Sequence, residues 1–134
     1  MKFTLFAILA VTLGLIGFNA AAEETKVADI SHEELVKAVS EKKVVLIDCN
    51  GSDSFNSGHI PGAVDFAAAK DALATKLPAQ KDALVVSYCG NEHCPAYKAG
   101  AAAAAALGYT NVKHYAAGIA GWKKSGEKTE TATQ

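Results

Sequence analysis

The sequence predicts an α/β layered domain built on a mainly parallel sheet, and three observations carry that prediction. Val44-Val45-Leu46-Ile47 is apolar throughout, as in a strand buried on both faces. Leu84–Tyr88 and Val112–Tyr115 read as further short strands, and segments with helix signals alternate with all three. The first two apolar runs stop at Asp48 and Cys89. In such sheets ligands bind at the carboxyl ends of strands, beside a topological switch.

In chain order, Met1-Lys2 precedes the almost wholly apolar stretch Phe3 to Phe18, and Ala20-Ala21-Ala22 stands before Glu23-Glu24. A charged start, an apolar middle and small closing residues predict a secretory signal peptide over residues 1–22, cleaved after Ala22 or else Ala21. An uncleaved membrane anchor is the alternative, for which the run is slightly short. The expected protein is exported, periplasmic in a Gram-negative bacterium, and makes no stable membrane contact after cleavage. Residues 23–126 suffice for one small domain, and the Thr-rich stretch 127–134 is expected to be a disordered polar tail.

Ser31 and Glu34 form a capping box, with Ile30 and Leu35 as its hydrophobic staple, and open a helix whose apolar face is Leu35, Val36 and Val39. Ser52-Asp53-Ser54-Phe55 reads as a short helical turn. Ser57 to Ala63 is a turn-rich loop, and Val64-Asp65-Phe66 a short edge strand. Ala67 to Leu77 is expected to be one helix with Leu73 and Leu77 inward. Pro95 suits the first position of a helix running to Leu107, with Gly108 just past its end. Gly100 inside it marks a close approach to the sheet. Ala117 to Trp122 turns into a last short helix, where Trp122 is a core or rim aromatic.

Charge and cysteine content narrow the function. The mature chain is mildly acidic, which argues against nucleic acid as a partner, and it contains no arginine. The three cysteines, Cys49, Cys89 and Cys94, are an odd number, so a disulfide-built scaffold is not expected and reactive thiol chemistry is. Cys89 lies at a strand's carboxyl end before a loop that enters a helix. Loop N–H groups and the helix dipole there would favour the thiolate. Lowering a thiol pKa by about two units, worth roughly 2.7 kcal/mol, would ionise most of it at neutral pH.

Five pieces then form a pattern: Leu46-Ile47-Asp48, Gly58-His59-Ile60-Pro61-Gly62-Ala63, Tyr88-Cys89 with a short loop, Gly108-Tyr109-x-Asn111-Val112 and Gly118-x-x-Gly121-Trp122. Together they resemble a single-domain rhodanese. The resemblance implies a rhodanese-like parallel five-stranded sheet flanked by helices on both faces. It implies a sulfurtransferase in which Cys89 takes a sulfane sulfur from thiosulfate or a persulfide and passes it to a thiol or cyanide. It gives a six-residue active loop, Cys89 to Cys94, where related phosphatases have one residue more. No cofactor and no metal are implied, and a monomer is expected.

The chain also departs from that pattern. Where many active members carry arginine or lysine, it has Gly90, Asn91, Glu92 and His93 in the loop, and Asn50 after Asp48. A dianionic donor should bind less well than a neutral or thiol-bound one. His93 is either a source of charge when protonated or a solvent-facing loop residue. Cys94 is a candidate resolving thiol or simply a helix-start residue. Cys49 reads as a small core group, while Asp48, Asn50 and His59 are candidate supports of the site. A metal site built from Cys89, Cys94, His93 and His59 has no recognised zinc spacing. Two other functions remain open: a thiol–disulfide protein using Cys89 and Cys94, and a non-catalytic sulfur-binding module.

Overall fold

Five parallel strands form the sheet of the computed structural model, which describes residues 26–132. The expected signal peptide at 1–22 lies outside the described residues. No helix among those described is long and apolar enough to cross a membrane. The elements are β1 (Ala28–Asp29), α1 (His32–Ser40), β2 (Val45–Asp48), α2 (Ser52–Ser57), β3 (Val64–Asp65), α3 (Phe66–Ala69), α4 (Leu73–Lys76), β4 (Val85–Tyr88), α5 (Tyr97–Ala106), β5 (Val112–Tyr115) and α6 (Gly118–Lys124). The strand order is β1-β5-β4-β2-β3, and each neighbouring pair is parallel.

Strand β4 is central and buried along its whole length, as a parallel strand covered on both faces must be. The pleat sends alternate residues into two cores. Leu46, Val86 and Tyr88 meet Leu35, Ile119 and Trp122, so α1 and α6 cover one face. Ile47 and Val85 meet Leu73, Ala104 and Tyr109, so α4 and α5 cover the other. The sheet and the helices on both faces are thus as the sequence implied.

Local chemistry explains the boundaries. The capping box of α1 is present, with the Glu34 N–H donating to Ser31 Oγ at 3.2 Å and the Ser31 N–H to Glu34 Oε2 at 3.1 Å. Phe66, expected in the edge strand, instead starts α3, because Asp65 Oδ1 caps the N–H groups of Ala67 and Ala68 at 3.0 and 3.3 Å. The single helix expected over Ala67 to Leu77 is broken. Lys70 has φ 37°, outside the right-handed helical region, and a 3-10 turn over Lys70–Ala72 separates α3 from α4. Leu73 and Leu77 still point inward.

Helix α5 ends in a Schellman motif. Gly108, at φ 93°, donates to the Ala105 carbonyl at 2.9 Å, and the Tyr109 N–H reaches the Ala104 carbonyl at 3.2 Å. A Cβ on Gly100 would lie 2.6 Å from Cys49 Sγ and 2.7 Å from Ser87 Oγ, so α5 rests on the sheet at that residue.

The tail differs from expectation over its described part. The N–H of His59 donates to the Glu130 carbonyl at 2.8 Å, and the Glu130 N–H returns a bond to the His59 carbonyl at 2.9 Å. The indole N–H of buried Trp122 donates to the Lys128 carbonyl at 2.8 Å. Composition predicted disorder here, yet a buried indole N–H needs an acceptor, and the tail backbone supplies it.

Candidate active site

Cys89 follows the last residue of β4 and opens the loop that leads to α5, at the carboxyl edge of the central strand. Its residue is 2 % exposed. It forms a disulfide with Cys94, five positions on, with the two Cα atoms 6.1 Å apart. Cys94, the candidate resolving thiol or helix-start residue, is thus the disulfide partner of Cys89 and is separated from α5 by two residues. Cys49 is the free cysteine.

The two halves of the loop are held differently. The first is anchored from below by α6: the Ile119 N–H donates to the Cys89 carbonyl and the Ala120 N–H to the Gly90 carbonyl, both at 2.9 Å. Gly118 sits under this contact at φ 63°. A Cβ there would be 2.5 Å from the Cys89 carbonyl oxygen, 2.7 Å from Gly90 C and 2.8 Å from Asn91 N. The second half turns around Asn91, whose Oδ1 accepts from the His93 N–H at 2.9 Å and whose carbonyl accepts from the Cys94 N–H at 3.2 Å.

Of the loop N–H groups expected around Cys89, those of His93 and Cys94 are therefore turned to Asn91 in this disulfide-bonded form. The Asn91 side chain engages the His93 N–H, as short polar side chains do when they compete for nearby backbone, and its backbone carbonyl takes the Cys94 N–H. Helix α5 starts at Tyr97 rather than Pro95, so two further residues, Pro95 and Ala96, separate the six-residue loop Cys89 to Cys94 from the helix. The carbonyls of Pro95 and Ala96 instead accept from Lys98 and Ala99 at 3.1 Å in a tight lead-in turn. The side chains of His93 and Glu92 are 86 % and 74 % exposed and lie 3.4 Å apart. His93 is thus the solvent-facing loop residue.

Beneath the loop is a buried polar chain. Asp48, 1 % exposed, accepts on Oδ1 from the Asn50 N–H at 2.8 Å and from Asn50 Nδ2 at 3.0 Å. Its Oδ2 accepts from the Tyr88 hydroxyl at 2.7 Å, and that hydroxyl accepts from the Ile60 N–H at 3.1 Å. Asn50 Oδ1 is 3.2 Å from where a Cβ of Gly90 would stand. Asp48 and Asn50, the expected supports, join the loops after β2 and before β3 to the strand that precedes Cys89. Burial, and then the Asp48 carboxylate, push the Tyr88 phenol far above its usual range, so it stays a neutral donor. Tyr88→Phe removes that donor and leaves Asp48 Oδ2 and the Ile60 N–H short of a partner. We expect about 3 kcal/mol of lost stability, read by denaturant unfolding.

His59 acts one step away. Its ring stacks on Phe55 with centroids 3.7 Å apart, its Nδ1 donates to the Phe55 carbonyl at 2.8 Å, and its Nε2 lies 3.8 Å from Glu130. It fixes the turn whose Ile60 reaches Tyr88, and these contacts face α2 and the tail rather than Cys89. Cys49 Sγ is 3.4 Å from Ser87 Oγ, and burial pushes its thiol up, as suits a small core group. Among the described residues no group of three or more His, Cys, Asp or Glu could hold a metal ion. The residues that sequence reasoning missed are Tyr88, for its hydroxyl, and Gly118. The signal for the first was a polar tip on a fully buried strand, and for the second a glycine opening the last helix.

The family model described as the rhodanese-like domain matches residues 31–125. No curated protein matches the chain. Among solved structures, the 3-mercaptopyruvate sulfotransferase SseA from Escherichia coli is 18 % identical with a TM-score of 0.64 over 81 % of this chain, which spans 52 % of SseA. The human single-domain sulfurtransferase TSTD1 is 19 % identical with a TM-score of 0.59, over 73 % of this chain and 96 % of its own. The polysulfide-sulfur transferase homodimer of Wolinella succinogenes is 14 % identical with a TM-score of 0.61, over 81 % of each chain. At such identities the likeness is one of fold.

Proposed function

The chain belongs to the rhodanese-like domain family, and on that premise we propose that it moves a sulfane sulfur from a donor to a thiol acceptor through a persulfide on Cys89. The observation that carries this reading is the position of Cys89 at the carboxyl end of β4, on a loop braced by α6 and supported by the chain from Ile60 to Asn50. The Cys89 thiolate of the reduced protein attacks the outer sulfur of a persulfide, RS–SH. The S–S bond breaks, RS⁻ leaves, and Cys89 carries the –S–SH group. An acceptor then removes the terminal sulfur.

A persulfide or polysulfide suits the loop better than thiosulfate. Residues 89–94 include no lysine or arginine and do include Glu92, so nothing fixed in the loop offsets a dianion. The disulfide supports an oxidising compartment as the place of action, because cytosolic thiols are kept reduced.

The test uses reduced Cys94→Ser, which keeps Cys89 unpaired. Incubated with cysteine persulfide, it should gain one sulfur by intact mass, mapped to Cys89, and gain less from equimolar thiosulfate. A variant lacking both Cys89 and Cys94 should gain none. The disulfide also favours a second reading, a thiol–disulfide protein without sulfur transfer. That reading predicts no sulfur adduct on Cys94→Ser from any donor.

A further inference from the structure

We infer that Cys94 resolves the Cys89 persulfide inside the molecule, so that the chain discharges the sulfane sulfur as hydrogen sulfide and is reset by a dithiol. This inference rests on the persulfide reading above and names what becomes of the sulfur. The structure already holds the product of such a step, the Cys89–Cys94 disulfide, inside one loop. Asn91 makes the turn that returns Cys94 toward Cys89, while α6 anchors the Cys89 and Gly90 carbonyls. One sulfur is therefore fixed, and the other rides on the half of the loop that makes no such contact with α6.

The step balances. The Cys94 thiolate attacks Cys89 Sγ, the Cys94–Cys89 S–S bond forms, and the bond to the outer sulfur breaks with loss of HS⁻. The sulfane sulfur gains two electrons, and the two cysteine sulfurs together lose two. A thiol tethered this closely is present at an effective concentration of about millimolar or more. External thiol acceptors well below that level lose the competition, and the absence of a fixed cation in the loop gives the persulfide anion no other hold. Resetting requires a dithiol. Cys94 is half-buried where Cys89 is buried, so the dithiol attacks Cys94 Sγ, expels the Cys89 thiolate, and closes its own disulfide as Cys94 leaves. The partner class is thus a protein or small molecule with two adjacent thiols, and a monothiol resets the chain less well.

The experiment is a single turnover of the full chain, reduced, freed of reductant, and mixed with cysteine persulfide at less than one equivalent. The expected result is sulfide release equal to the persulfide added. The protein should be recovered with the Cys89–Cys94 disulfide and no added sulfur. Cys94→Ser should release at most one-tenth as much sulfide and retain the sulfur. A native protein that keeps the added sulfur while Cys94 stays open to alkylation overturns the inference and leaves the persulfide reading standing. Failure of Cys94→Ser to gain sulfur, with no sulfide from the native chain, overturns both.

Discussion

Cys89→Ser is expected to abolish sulfur transfer, lowering kcat/KM for a persulfide donor by at least about a thousandfold. The proposed chemistry passes through a bond to one sulfur atom, and a serine hydroxyl neither ionises near neutral pH nor forms a stable bond to sulfane sulfur. What survives is whatever positioning the loop gives the donor. The substitution also removes the disulfide, so its proper comparison is Cys94→Ser, which loses the same crosslink and keeps the nucleophile. With cyanide as acceptor, Cys94→Ser should transfer sulfur at least as fast as the reduced native chain, since no resolving thiol diverts the persulfide. Equal rates for Cys89→Ser and Cys94→Ser in the cyanide-linked assay would place the chemistry elsewhere and sink the mechanism.

Features set by local pattern were the legible ones. The capping box at Ser31 and Glu34, the apolar runs of β2, β4 and β5, and the Gly108 cap each declare themselves within a few residues. So does the position of Cys89, where an apolar run stops. Features decided by distant partners were not legible. The tail looks disordered until Trp122 is seen to need the Lys128 carbonyl and His59 to pair with Glu130. The helix expected over Ala67 to Leu77 gives no warning in its composition of the left-handed turn at Lys70. The partners of two loop amides were hidden for a similar reason. The lack of a cation at Asn91 is visible in the sequence, whereas the bonds from the His93 N–H to its Oδ1 and from the Cys94 N–H to its carbonyl depend on how the loop turns. The disulfide could be framed as a question from the spacing of Cys89 and Cys94, but its answer depends on how the loop turns.

Gly118 is where the loop's position and the fold's stability meet, and Gly118→Ala is expected to damage both. At φ 63° an alanine is strained by about 1 kcal/mol. Its Cβ would also stand 2.5 to 2.8 Å from backbone atoms of Cys89, Gly90 and Asn91, and backbone cannot rotate away as a flexible side chain does. Overpacking of this kind adds about 2 kcal/mol. The sum should lower Tm by more than about 10 °C for a domain of this size. Gly126→Ala separates the two contributions: it has φ 81° with nothing within 4 Å of the added atom, so it meets the strain without the collision. The difference between the two variants therefore measures the contact with the loop. Because the obstructed atoms belong to the segment that carries Cys89, relief of the clash must move the sulfur. A displacement of about 1 Å at a reacting centre lowers rate on the order of a hundredfold. Gly118→Ala should lose transfer activity at temperatures where it is still folded, and Gly126→Ala should not. Equal Tm and equal activity for the two variants would show that α6 does not brace the loop.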